Sequence, residues 1–172
     1  MKKADRSLHA ATLLATSCFM RRNERSAGFV IYHQQGEGPP QYLLLDYGRH
    51  WDYPKGHVEK GEDDLGAASR ELEEETGITT MRVIEDFQHA IQYFFRDRKH
   101  RLIHKSVVFF LAETPTREVV LSKEHVGFVF LGYEEALRLL TFPSAREILR
   151  LANAHLNGKH ATPSESDTMS RL

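Results

Sequence analysis

The chain has 172 residues, 41% hydrophobic and 27% charged, with a formal net charge of −1. That length suits one domain able to bury a core without staples, and no apolar run approaches the roughly 20 residues a bilayer span needs. The balanced total argues against a protein that coats nucleic acid through bulk charge, although the charge is locally blocked: acidic from Glu59 to Glu75, basic from Arg96 to Lys105.

Cys18 is the only cysteine, so neither an intrachain disulfide nor a cysteine-based zinc site can form within one chain, and a reducing cytoplasm is the expected compartment. At the N-terminus Lys2 and Lys3 precede a mildly apolar stretch, Leu8 to Met20, which is diluted by His9, Thr12, Thr16 and Ser17 and makes a poor secretory signal. Residues 1–24 are therefore expected to form a flexible extension. Ser26 to His33 and Gln41 to Tyr47 are β-rich runs around a Gly/Pro loop and predict a hairpin. Trp51 to Tyr53 continue into Pro54-Lys55-Gly56, read as a turn; Asp63 or Asp64 caps a helix running to about Thr76, and Gly77 stops it. Arg82 to Phe95, Ile103 to Ala112 and His125 to Leu131 are expected strands, the first two joined by the basic segment. Glu134 to Leu140 and Ser144 to Leu156 have helical spacing. The polar, Ser/Thr-rich residues 158–172 predict a disordered tail, which leaves a single domain over 25–157.

The segment GHVEKGEDDLGAASRELEEETGI, Gly56 to Ile78, carries the chemistry. At about 100° per residue, Glu71, Glu74 and Glu75 share one arc of the helix, and Leu65, Ala68 and Leu72 share a neighbouring arc that can face a core. Carboxylates at such spacing repel one another by tenths of a kcal/mol per pair, or about that, and hard divalent cations such as Mg²⁺ or Mn²⁺ would offset the repulsion. An acidic run by itself more often only solvates a helix. Here it directly follows Arg70, is preceded by a glycine-containing turn and ends on Gly77 before an apolar residue.

At these residues the chain resembles the Nudix hydrolase family, whose signature is G-x5-E-x7-R-E-U-x-E-E-x-G-U with U aliphatic. Gly56, Glu62, Arg70, Glu71, Leu72, Glu74, Glu75, Gly77 and Ile78 fill every fixed position. The resemblance implies an α/β class protein, an α/β/α sandwich around a mixed β-sheet, and metal-dependent hydrolysis of a nucleoside diphosphate linked to another moiety. From Ala27 to Leu156 it extends toward the asymmetric diadenosine tetraphosphate hydrolases within the family, through HWDYPKGHVEKGEDDL, LSKEH and LGYEEA.

That resemblance implies that Glu71, Glu74, Glu75 and the Gly56 carbonyl hold the metals, Mg²⁺ with Mn²⁺ as the other candidate, while one carboxylate takes the proton of an attacking water. Arg70 and Glu62 are expected to orient the helix, and Glu124 to supply a further acidic group. His125 is expected to be structural. His50, Lys55 and Lys105 are expected to meet the polyphosphate as imidazolium and ammonium donors, and Tyr93 and Phe142 to stack on adenine, with core packing as the alternative for both. The basic residues Arg96 to Arg101 read as a solvated hairpin tip, with attraction of polyphosphate or RNA as the alternative. The expected activity is hydrolysis of diadenosine tetraphosphate to ATP and AMP by a monomer with no membrane partner. Two other readings share the same box: removal of pyrophosphate from triphosphorylated RNA, and nucleotide sensing without turnover.

Overall fold

A computed structural model describes residues 22–160, so the expectations for the N-terminal extension and the C-terminal tail lie largely outside the described residues. Seven strands and three helices follow one another as β1 (Arg22–His33), β2 (Gln41–Asp46), β3 (Trp51–Asp52), β4 (Lys55–His57), α1 (Asp64–Thr76), β5 (Arg82–Arg96), β6 (Leu102–Glu113), β7 (Gly127–Leu131), α2 (Tyr133–Leu139) and α3 (Pro143–His160). The strands form one sheet in the order β3-β2-β1-β6-β5, with β4 paired to β1 and β7 to β2. It is mixed: β1 runs parallel to β6 and antiparallel to β2 and β4, and β5 runs antiparallel to β6.

Strand alternation divides the interior into two cores. Ala27, Phe29 and Ile31 of β1 and Leu43 and Leu45 of β2 pack with Ala67, Ala68 and Leu72 of α1. Their neighbours Val30, Tyr32, Tyr42 and Leu44 point to the opposite face and meet Ala136, Leu140, Ile148, Leu149 and Ala152 of the α2–α3 region. Successive side chains of a strand alternate between faces, so continuous apolar runs such as YLLL can serve a helix on each side. The expected α/β/α sandwich is the observed architecture.

Three local expectations are corrected. Pro54-Lys55-Gly56 is not only a turn: Lys55–His57 form β4, pairing Ser26 with His57, Ala27 with Gly56 and Gly28 with Lys55. Pro54 has no N–H, but its carbonyl accepts from the Phe29 amide at 3.1 Å, so pairing starts at the residue after the proline. Leu65 is 40% exposed, and Ala67 takes its expected place in the core, its small side chain lying against the sheet. β1 begins at Arg22 and α3 runs to His160, both beyond the expected boundaries, because backbone pairing and helical hydrogen bonding continue past the last apolar signal.

Candidate active site

Helix α1 is fixed at both ends by its own sequence. The Asp63 side chain accepts from the Gly66 amide at 2.7 Å, and Gly77, at φ 70°, occupies the left-handed conformation in which its amide donates to the Glu73 carbonyl. Along the body, all five N–H groups of the Arg70 guanidinium are engaged. Nε and Nη2 fork onto the two carboxylate oxygens of Glu62, both at 3.0 Å; Nη2 also donates to the His57 carbonyl at 2.9 Å, and Nη1 to Glu71 at 3.0 Å and Glu74 at 3.2 Å. A planar donor fork suits this task as an ammonium would not. The hydrogen bond from Arg70 holds the Glu62 carboxyl below its ordinary range.

The carboxylates of α1 open onto a cleft of about 740 Å³ whose walls also include Tyr47, Lys55, Gly56, Lys105 and Glu124. Glu71, Glu74 and Glu75 are therefore brought together with Gly56, Lys55, Lys105 and Glu124, as the sequence led one to expect. The three glutamates differ in environment: the Glu74 side chain is 59% exposed, whereas Glu75 is only 6% exposed. Burial pushes the Glu75 carboxyl up to about 8, against the opposing pull of the Lys55 amide, which donates to it at 3.0 Å, and of the Lys55 charge. The charge of Glu71 pushes it in the same upward direction.

Sequence reasoning named Lys55 beside Glu75 but missed Tyr47 and Asp52, and read His125 only as structural. The Tyr47 hydroxyl lies 3.4 Å from Glu75 Oε1 and donates to the Tyr53 carbonyl at 2.9 Å, and Lys55 Nζ lies 4.3 Å from the centre of the Tyr47 ring. Asp52 pairs with Lys55 Nζ at 3.1 Å. His125 sits edge-on to Tyr47, receives or gives a hydrogen bond at Ser122 Oγ through Nδ1, and places Nε2 3.4 Å from Glu75 Oε1, off the direction of a formed hydrogen bond. A tyrosine ending a β-run reads as core, and only the tertiary approach of Tyr47, just past β2, to Glu75 of α1 reveals the contact; the neighbouring Glu124 was the one signal available for His125.

The flanking residues sit on two sides. His50 stacks on Tyr47, with ring centres 4.8 Å apart, and packs on Phe142 at 5.1 Å, so both lie beside the cleft wall on the β2–β3 side. Burial, and then the nearby Lys55 charge, lowers the affinity of His50 for a proton in the absence of polyphosphate. Tyr93 lies on β5 directly across from Lys105 of β6 and is 39% exposed, which removes the core-packing alternative. Burial and the Lys55 charge also lower the Lys105 pKa.

A profile of the NUDIX domain matches residues 12–152. The chain belongs to the Nudix family. Among relatives, the mouse asymmetrical bis(5′-nucleosyl)-tetraphosphatase is 36% identical over 138 residues, covering 73% of this chain and 90% of that protein. A crystal structure of a C. elegans Ap4A hydrolase binary complex superposes with a TM-score of 0.69 at 34% identity, covering 78% of this chain and 98% of that one. An RNA pyrophosphohydrolase of Bartonella bacilliformis matches over a shorter span, 28% identical over 78 residues and 41% of this chain.

Nudix hydrolases need divalent metal, and the donor set of this Nudix domain fits one. A Cβ at Gly56 would fall 1.9 Å from the Glu71 carboxyl carbon, so the bare glycine gives that carboxylate its place beside the Gly56 backbone. Among the described residues no three acidic or imidazole groups close into a ready-made metal cage. Such an open arrangement suits a hard cation that takes a few carboxylates and completes its shell with water and phosphate oxygens. Glu71, Glu74 and Glu75 are the side chains, and Gly56 the carbonyl, able to hold it.

Proposed function

We propose that this Nudix domain hydrolyses dinucleoside polyphosphates, with diadenosine tetraphosphate and water giving ATP and AMP. The observation that carries this reading is that Lys55 and Lys105 line one cleft with the carboxylates of α1, while His50 and Phe142 pack beside the cleft residue Tyr47 near the β3 edge of the sheet and Tyr93 lies across from Lys105 on the β5 edge. A ligand with a base at each end of a polyphosphate matches that arrangement. The relatives named as bis(5′-nucleosyl)-tetraphosphatases support the choice of substrate.

In this reading Glu71, Glu74, Glu75 and the Gly56 carbonyl bind the divalent ion, Mg²⁺ or in its place Mn²⁺, which would polarise a phosphoryl oxygen and activate water. One of the glutamates, or Glu124 from across the cleft, accepts the proton as the water oxygen bonds to phosphorus and a bridging P–O bond breaks. Lys55 and Lys105 balance charge on the phosphates as ammonium groups, and His50 donates through a ring N–H. Tyr93 and Phe142 stack on the bases. Arg70 and Glu62 hold α1 in register without touching substrate. The protein acts as a monomer in the cytoplasm.

The deciding experiment resolves products after incubation with diadenosine tetraphosphate and excess Mg²⁺. AMP and ATP in equal amounts are expected, with turnover cut at least 100-fold by Glu75→Gln. Binding of the dinucleotide without product, unaltered by Glu75→Gln, would instead establish a nucleotide sensor.

A further inference from the structure

A carboxylate outside the Nudix box stands beside the same cleft. Register places Glu24 of β1 opposite Lys105 of β6, and Lys105 opposite Tyr93 of β5, so the three residues form one row across one face of the sheet. Ser26, two residues further along β1 and on that same face, lines the cleft together with Lys105 and His57. The Glu24 side chain is only 21% exposed, against 65% for that of His57.

The protein itself satisfies little of this carboxylate. Among the described residues its one ion-pair partner is the exposed His57 ring, whose Nε2 stands 3.5 Å from Glu24 Oε2, long for a hydrogen bond. An ionised carboxylate accepts at roughly four lone-pair sites, so most of that capacity is unused within the described residues. Its charge nevertheless reaches the site. Burial, and then Lys55, lowers the Lys105 pKa, and Glu24, ahead of Asp52, pulls it back. Burial raises the Tyr93 pKa, and Asp52 and then Glu24 push it the same way.

A carboxylate repels phosphate oxygens and accepts from O–H and N–H donors. In a nucleotide those donors are the ribose hydroxyls and the edge of the base. The row separates the two. With the base on Tyr93 and the phosphates on Lys105 and Lys55, the sugar that joins them lies over the interval between Tyr93 and Glu24, about 10 Å at two strand spacings. We propose that Glu24 is a specificity-determining residue that accepts hydrogen bonds from the 2′- and 3′-hydroxyls of the nucleoside seated on Tyr93. A sugar lacking both hydroxyls leaves the half-buried charge without donors, so the site rejects it. This rests on the dinucleotide reading of the cleft and adds sugar selection to it.

The test compares diadenosine tetraphosphate with its 2′,3′-dideoxy analogue, in kcat/KM with excess Mg²⁺ and, in chains carrying Glu75→Gln, in dissociation constants. The unmodified chain is expected to favour the ribonucleotide by roughly tenfold or more, chiefly through KM. Glu24→Ala should cut that ratio by roughly tenfold or more by weakening the ribonucleotide and not the analogue, and Glu24→Gln, which keeps an acceptor oxygen, should restore part of it. A residue that only shapes the fold would lower both substrates together and leave the ratio as it was. Equal handling of the two sugars by the unmodified chain, or a ratio unchanged in Glu24→Ala, would overturn the proposal. So would a Glu24→Ala effect that instead follows the 6-amino group, read with a dinucleotide of purine riboside, since that would place the carboxylate at the edge of the base. Failure of the cleft reading would appear separately, as absent AMP and ATP, with the sugar preference still read from binding.

Discussion

At the scale of single residues, Glu75 links the fold to pH. Its pKa in the folded chain, pushed up to about 8 by burial, lies above the roughly 4.3 of an unfolded glutamate. The folded state therefore binds that proton more tightly than the unfolded chain. The stability this provides is complete below the unfolded value, declines as pH rises and is lost on passing about 8. In chelator, the metal-free protein should melt at progressively lower temperature from pH 5 to 8, and Glu75→Gln should remove that component of the slope. Thermal melts of the two proteins across the pH range decide it; parallel curves would place the titration elsewhere. Gly56 makes a second residue-level prediction. In Gly56→Ala the new methyl must evict the Glu71 carboxylate, which is the far end of a flexible side chain and can swing away. Little change in melting temperature is expected, with kcat/KM lowered at least tenfold, or about 1.4 kcal/mol of transition-state stabilisation.

Among the elements, α1 is the one whose sequence is legible almost residue by residue. Asp63 is the cap, Thr76 the last helical residue and Gly77 the stop, because each signal is local: a side chain bonding an amide three residues on, and a glycine free to take positive φ. Asp63→Ala should lower stability by about 1 kcal/mol, a shift of roughly 2–4 °C in Tm for a domain of this size, with turnover kept within a few-fold. A larger loss of activity than of stability would mean that the cap also sets the register of the carboxylates. β4 shows the opposite case. Nothing within Lys55-Gly56-His57 announces a strand; those residues pair because Ser26, Ala27 and Gly28 of a strand nearly thirty residues earlier offer them partners. Tyr47 was equally unreadable as a site residue, since its approach to Glu75 joins two segments 28 residues apart in the chain.

For the whole molecule, the sheet is shared by two cores that should melt as one. Leu72 lies in the core beneath α1 and Leu149 in the core beneath α3, both fully buried. Leu72→Ala and Leu149→Ala should each cost about 2–5 kcal/mol, and each should give a single transition, followed by calorimetry or circular dichroism. Two separate transitions would show that the helical layers unfold independently. The sequence alone determined the Nudix box and the order of most elements, since glycine positions, cap chemistry and apolar periodicity act over a few residues; the sandwich class followed from the family resemblance that the box carries. The tertiary structure decided the rest. It alone buried Glu75 against Lys55 and Tyr47, set the His50 ring between Tyr47 and Phe142, and turned Tyr93 outward across from Lys105. Burial, desolvation and cross-strand neighbours arise only when distant segments meet, so no local pattern could have specified them.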